Sequence, residues 1–359
     1  MSENNINVLV TGGAGFIGSA LIRKLLINTR HNIYNLDKLT NRSDLTSIDQ
    51  ILRKEPTLQK RYTFLKADLL NEELIDRVIE KSNPDFIFHF AAESHVDRSI
   101  DSPKEFVLNN IIGTYNLLES IRKYFYRIEK NRKNNFRFHH ISTDEVFGSL
   151  GNYGKFNEES VYDPRSPYSA TKASSDHLVN AWFHTFGIPT IITNSCNNYG
   201  YWQFLDKLIP LVIMKCLSWE NIPLYGNGMN VRDWIHVDDH VEAILLAVNH
   251  GKIGKKYLIG GNNEKTNLDV ISMICEYLDE IKPQKESYKV LIQHVSDRPG
   301  HDYRYAIDST LIKTELGWSE KINFSEGLKN TISWYLDNIN WCKTIISRSG
   351  YIGQRLGKL

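Results

Sequence analysis

The run Ile141-Ser142-Thr143-Asp144-Glu145-Val146, followed by Tyr168-x-x-x-Lys172, offers one substrate a hydroxyl, two adjacent carboxyl groups, a phenol and an ammonium. At i and i+4 of a helix Tyr168 and Lys172 share a face, and an ammonium there favours the phenolate, lowering a pKa normally near ~10. Such a phenolate accepts an alcohol proton while hydride leaves the same carbon. Alone, this spacing also arises by chance on surface helices. The carboxylates set it apart: they directly follow an apolar, strand-like run, whereas such dipeptides usually sit in solvated loops. Two carboxyl groups in a partly desolvated cleft raise each other's pKa, which leaves one able to donate a proton at neutral pH. A simple alcohol dehydrogenation needs fewer groups.

Near the N-terminus, Asn7-Val8-Leu9-Val10-Thr11 reads as a buried strand. Gly12-x-x-Gly15-x-x-Gly18 then turns into the amphipathic run Ala20-Leu21-Ile22-x-x-Leu25-Leu26. In that context backbone amides and the helix dipole hold a pyrophosphate. Asp37, nineteen residues past Gly18, ends the next strand. A carboxylate there accepts from ribose hydroxyls and repels a 2′-phosphate, which favours NAD over NADP; Lys38 and Arg42 weaken that preference.

These groups need a scaffold. At 359 residues the chain exceeds the size of a single core, so two lobes are expected. Strands are expected near 6–11, 32–36, 62–66, 85–90, 136–142 and 188–194, with helices between them, including a long one over about 101–127. Apolar strands alternating with helices predict an α/β Rossmann-type fold with a doubly wound parallel sheet over 1–195. Shorter pieces follow: strands near 222–225 and 256–260, and helices near 237–249, 267–281 and 323–338. They predict a smaller mixed α/β C-terminal substrate lobe over 196–340, interleaved with the first and lying over the strands' carboxyl ends. Residues 341–359 read as a surface-packed extension with four basic and no acidic residues after Cys342, and the basic run over 126–135 as a solvated helix end and loop.

Net charge is +1 with 24% charged residues, which makes no electrostatic case for nucleic acid or a membrane surface. Cys196, Cys216, Cys275 and Cys342 lack CxxC or Cys/His spacing, so neither a disulfide framework nor a metal site is expected, and Cys196 reads as a small buried side chain beside the site. A polar N-terminus and the lack of an eighteen-residue apolar run predict a cytoplasmic protein.

TGGAGFIGS, LDKLT, FAAESHVDRSI, ISTDEVFG, PYSATKASSDH, NNYG, VRDWIHVDDH and DRPGHDYRYAID, in this order and spacing over about residues 5 to 338, resemble the nucleotide-sugar 4,6-dehydratases of the extended short-chain dehydrogenase/reductase family. The TDE triplet is the most specific element. The chemistry agrees with the resemblance. Loss of water across C5 and C6 of a hexose is difficult until C4 is a ketone, which acidifies the C5 proton; the NADH formed in that oxidation then reduces C6. The resemblance assigns Tyr168, with Lys172, as base for the 4-hydroxyl, Glu145 as base for C5–H and Asp144 as acid for the 6-hydroxyl, with Thr143 bonding the 4-oxygen.

It also implies NAD held by Gly12, Gly15, Phe16, Ile17, Gly18, Asp37, Lys38, Leu39, Thr40, Asp68, Leu69, Ala91, Ala92, Ser94, Asn109, Tyr168, Lys172 and Asn198. A nucleoside diphosphate hexose, dTDP-glucose foremost, is held by His95, Thr143, Asn197, Lys207, Leu208, Pro223, Tyr225, Arg232, Asn267, Arg298 and His301. Arg232 and Arg298 offer planar forks for phosphate oxygens. A homodimer is expected through helices near 101–127 and 166–186, with Phe106, Ile111 and Leu118 as surplus apolar residues. The chain departs from the family at Tyr201-Trp202-Gln203-Phe204-Leu205, where dTDP-glucose enzymes usually read Pro-Tyr-His-Phe-Pro, and at Ser195-Cys196, where Cys-Ser is common. The base therefore stays open to uridine. A nucleotide-sugar 4-epimerase or decarboxylase shares the Tyr/Lys pair but has no use for Asp144. A non-catalytic NAD-binding scaffold would be expected to lack Tyr168 or Lys172.

Overall fold

The computed structural model describes residues 6–351, 353, 354 and 356; the polar segment 1–5 and the tail's Arg355 and Lys358 lie outside the described residues. Six strands alternate with helices: β1 (Asn7–Thr11), β2 (Asn32–Asp37), β3 (Tyr62–Lys66), β4 (Phe86–His89), β5 (Arg137–Thr143) and β6 (Thr190–Ser195). Shorter strands follow: β7 (Asn197–Tyr199), β8 (Ile222–Tyr225), β9 (Val231–His236), β10 (Lys256–Ile259), β11 (Glu264–Thr266) and β12 (Ile292–Val295). The main sheet has seven strands in the order β10-β6-β5-β4-β1-β2-β3, every pair parallel. The winding reverses between β1 and β4, opening a crevice at the strands' carboxyl ends.

The central strands are apolar because helices cover both faces. Polar side chains are buried on them too, His89 on β4, His139 and His140 on β5 and Asn194 on β6; Nε2 of His139 lies 3.0 Å from the Thr193 hydroxyl.

The main sheet also takes back a later piece of the chain. β10, expected among the later pieces, pairs with β6, and the Val237–His250 helix packs Val241, Ile244 and Leu245 against Leu21, Ile22 and Leu25 of the Phe16–Asn28 helix. A buried strand preceded by an amphipathic helix continues the same right-handed winding after a long excursion. The helix expected over 101–127 starts at Pro103 and carries a π-turn at Val107–Ile112 before Gly113–Arg127. That turn aims Asn110 inward, its amide donating to the Thr171 hydroxyl at 3.0 Å and the Glu93 carbonyl at 3.0 Å. Phe106 and Leu118 are core residues and Ile111 is half-buried, so the surplus apolar surface belongs instead to Val107, Ile112 and Tyr115. Within 126–135, residues Lys130–Asn135 form a short helix tied down by Arg132, 2.7 Å from Asp85.

In the smaller lobe β9 joins β7 and β11, and β12 joins β8. They share a core with helices Leu208–Leu217, Asn267–Ile281 and Phe324–Asp337. The Ile339–Ser349 helix adds Cys342 and Ile345 to that core, and its Arg348 reaches back to the first lobe, donating to the Ser43 carbonyl at 2.8 Å and lying 3.1 Å from Asp44. Among the described residues, no helix is long and apolar enough to cross a membrane.

Candidate active site

The glycine turn between β1 and the Phe16–Asn28 helix has two kinds of glycine. A side chain at Gly12 or Gly18 would strike backbone, at 2.6 Å from the Ala91 nitrogen and 2.4 Å from the Gly12 carbonyl, so both are needed for packing. At Gly15 a Cβ meets only the Gly12 carbonyl at 3.1 Å, and no side chain caps the helix that starts there. Its first amides therefore face an open cradle shaped for a pyrophosphate. Asp37 is buried at the end of β2, held by the amides of Ala14 (3.1 Å) and Leu39 (2.8 Å). The cations beside it are engaged: Lys38 donates to Asn109 at 2.5 Å, and Arg42 pairs with Glu93. These residues fit NAD, with Asp37 placed for ribose hydroxyls. A cleft of about 360 Å³ runs from the glycines to the carboxylates and is lined by all the expected cofactor residues except Leu39. Leu39 sits at φ 56, and its amide is committed to Asp37.

Local rules explain the helix that carries Tyr168 and Lys172. Ser166 and Ser169 cap each other at 3.0 Å, Pro167 takes the first helical position, and Gly187 ends the Pro167–Phe186 helix at φ 67. Tyr168 and Lys172 thus lie on its buried face. At the end of β5, the Thr143 hydroxyl accepts from the Glu145 amide at 3.3 Å and starts the tight turn Asp144–Phe147. Asp144 is buried and held well above the carboxylate range, first by burial, then by Glu145 and Asp233; its Oδ2 has no partner among the described residues. Glu145 is also raised by burial, but Arg298, Arg232 and Lys207 oppose the shift. The pair thus divides into an acid and a group with cationic neighbours. Tyr168 behaves otherwise than expected: burial, then Glu145, pushes its phenol up, while Lys172 gives Nζ to the Ile141 carbonyl at 2.9 Å. Burial brings Lys172 down to about 8.

A second cavity of about 190 Å³ continues from the first through Ser94, His95, Glu145, Asn197, Asp206 and Lys207. It is lined by every expected substrate residue except Thr143, which lines the first. Arg232 is fixed by the Val231 carbonyl at 2.7 Å and the Asp302 carbonyl at 3.0 Å, its guanidinium 4.3 Å over the Tyr305 ring. Arg298 pairs with Asp97 at 3.0 Å, leaving its buried Nε without a partner among the described residues. His301 is lowered to about 4, first by burial and then by the two arginines, while Asp297, 2.6 Å from its Nδ1, opposes the shift. Asp97 and Tyr305, both inside the quoted motifs, were not singled out in the sequence, since a carboxylate that orients an arginine has no spacing signal. The tail reaches the site as well as the surface: Tyr351, Gly353, Gln354 and Leu356 line this cavity. Of the departing loop, Gln203 and Phe204 line the first cleft. Trp202, at φ 68, packs on Trp334 and Trp341, and the Tyr201 hydroxyl bonds Asp238, so neither lines the second cavity. Cys196 is buried in the cleft wall.

Residues 9–331 match the family described as GDP-mannose 4,6 dehydratase. Among curated proteins, the dTDP-glucose 4,6-dehydratase of Salmonella typhimurium is 49% identical over 95% of this chain and 96% of its own length. Two solved structures share the fold. One is dTDP-glucose 4,6-dehydratase from Bacillus anthracis in complex with NAD, with TM-score 0.81, 40% identity and 95% and 99% coverage of the two chains. The other is DesIV, a dTDP-glucose 4,6-dehydratase from Streptomyces venezuelae with NAD and TYD bound, with TM-score 0.84, 38% identity and 94% and 99% coverage.

Proposed function

The chain belongs to the nucleotide-sugar enzyme family described as GDP-mannose 4,6 dehydratase, and from that premise we propose that it is an NAD-dependent hydro-lyase converting dTDP-glucose to dTDP-4-keto-6-deoxyglucose and water. The observation that carries this reading is the pair of buried Asp144 and half-buried Glu145 lining one cleft with Tyr168 and Lys172, since epimerisation at C4 has no use for the acid. NAD, when bound, supplies a cationic ring that takes hydride from C4 and returns it at C6.

The chain's own groups move the protons. Tyr168, once the cationic ring of bound NAD and Lys172 favour its phenolate against burial and Glu145, accepts the 4-hydroxyl proton while Thr143 holds the oxygen. Glu145 takes the proton from C5, and Asp144 gives one to the departing 6-hydroxyl, forming water. Glu145 then returns its proton to C5, and the proton left on Tyr168 balances the one lost from Asp144. Arg232 and Arg298 grip the diphosphate.

The enzyme works as a cytoplasmic homodimer through the helices near 101–127 and 166–186; exposed Val107, Ile112 and Tyr115 and four free, buried cysteines support this. The test compares dTDP-glucose with UDP-glucose and GDP-mannose on purified protein. Turnover should need no stoichiometric cofactor, and 4-deuterated dTDP-glucose should deliver its label to C6. NADH accumulating in step with product would refute the reading.

A further inference from the structure

Tyr168, Lys172 and Asp176 recur at i, i+4 and i+8 on the buried face of one helix. The first two belong to the site proposed above, whereas Asp176 lies one turn deeper and has no part in that chemistry. Its side chain is nonetheless a hub. Oδ2 accepts from the Ser142 hydroxyl at 2.9 Å, the Tyr162 hydroxyl at 2.8 Å and the Asn194 amide at 3.1 Å. Oδ1 lies 3.1 Å from Nε2 of His140, and that same nitrogen lies 3.5 Å from Nζ of Lys172. Asp176, His140 and Lys172 are all buried. The Asn194 amide also donates to the Thr143 carbonyl at 3.0 Å, so the carboxylate is linked to the strand end that carries Thr143.

A buried ammonium stays charged only with a compensating charge near it. We infer that Asp176 is a positioning residue of the reaction: its carboxylate keeps Lys172 charged and aimed at the cleft, and through Asn194 it holds Thr143 in place. The inference rests on Lys172 belonging to the site proposed above.

The titratable groups facing Lys172 are Tyr168 and Asp176 on its own helix, His140 on β5 and His89 on β4. Burial lowers both imidazoles, His140 to about 4, so neither competes for charge near neutrality. The Asp176 charge raises Lys172 against its burial. Activity that needs the ammonium falls as pH rises through about 8, and removing the Asp176 charge moves that fall to lower pH.

The test is Asp176→Asn on the full-length protein, with the Nζ signal of Lys172 followed by NMR of 15N-lysine-labelled protein and identified by its loss in Lys172→Met. The expected result is a titration lowered by about one pH unit, with the alkaline limb of kcat/KM moving down in parallel. In a Lys172→Met background, Asp176→Asn should cost less activity than it does in the parent, the remainder coming through Asn194 and Thr143. If Asp176→Asn does not fold, Asp176→Ser, which removes the same charge, should shift the same titration in the same direction. An unshifted Lys172, or losses that simply add, overturns the inference. A shifted Lys172 in a protein that dehydrates no nucleotide hexose would instead sink the function reading alone.

Discussion

Asp144 and Glu145 are adjacent in sequence, and their surroundings pull them apart. Asp144 faces another carboxylate, Asp233, while Glu145 faces Arg298, Arg232 and Lys207. Substitutions should therefore separate the steps. Glu145→Gln keeps Thr143, Tyr168 and Lys172, so on addition of dTDP-glucose absorbance at 340 nm should rise and persist while product formation falls by roughly 10²-fold. Asp144→Asn should give the same signature through failure to release the 6-hydroxyl. Tyr168→Phe should show no absorbance change at all, because oxidation itself is blocked. Normal turnover in Glu145→Gln would remove the base assignment. At this scale the types and spacing of the reactive residues could be read from the sequence, but the high phenol pKa of Tyr168 could not, because burial and Glu145 impose it from outside the helix.

The glycine turn and the capped catalytic helix were legible as elements, since each depends on residues within one or two turns of itself. The C-terminal segment was not. Beyond Ser349 it has neither period nor motif, and only folding brings Tyr351 against Phe204, where ring centroids lie 6.5 Å apart, and into the wall of the second cavity. Tyr351→Ala should therefore raise KM for the nucleotide hexose by about 10-fold, the loss of roughly one aromatic contact, while kcat and bound NAD content stay near the parent's. Unchanged KM would make the segment a mere cover. The departing loop divides in the same way: Trp202 packs on the Ile339–Ser349 helix through Trp341, while Gln203 and Phe204 line the first cleft.

For the whole molecule, the sheet order and its switch point bring the glycine cradle, the carboxylates and the arginines around one continuous space. Sedimentation at micromolar concentration should show twice the 41.5 kDa chain mass, and Val107→Glu with Ile112→Glu should shift it to monomer. A monomeric parent would contradict the assembly. The sequence by itself determined the alternation of strands and helices, the dinucleotide turn and the Tyr/Lys and carboxylate groups, because periodicity, capping and turn chemistry act over a few neighbouring residues. Only the tertiary structure decided that β10 rejoins the main sheet, that Val107 rather than Phe106 stays exposed, and that Asp97 orients Arg298 from 201 positions away. Those outcomes depend on which distant surfaces meet, and burial and charge are properties of that meeting rather than of any local stretch of chain.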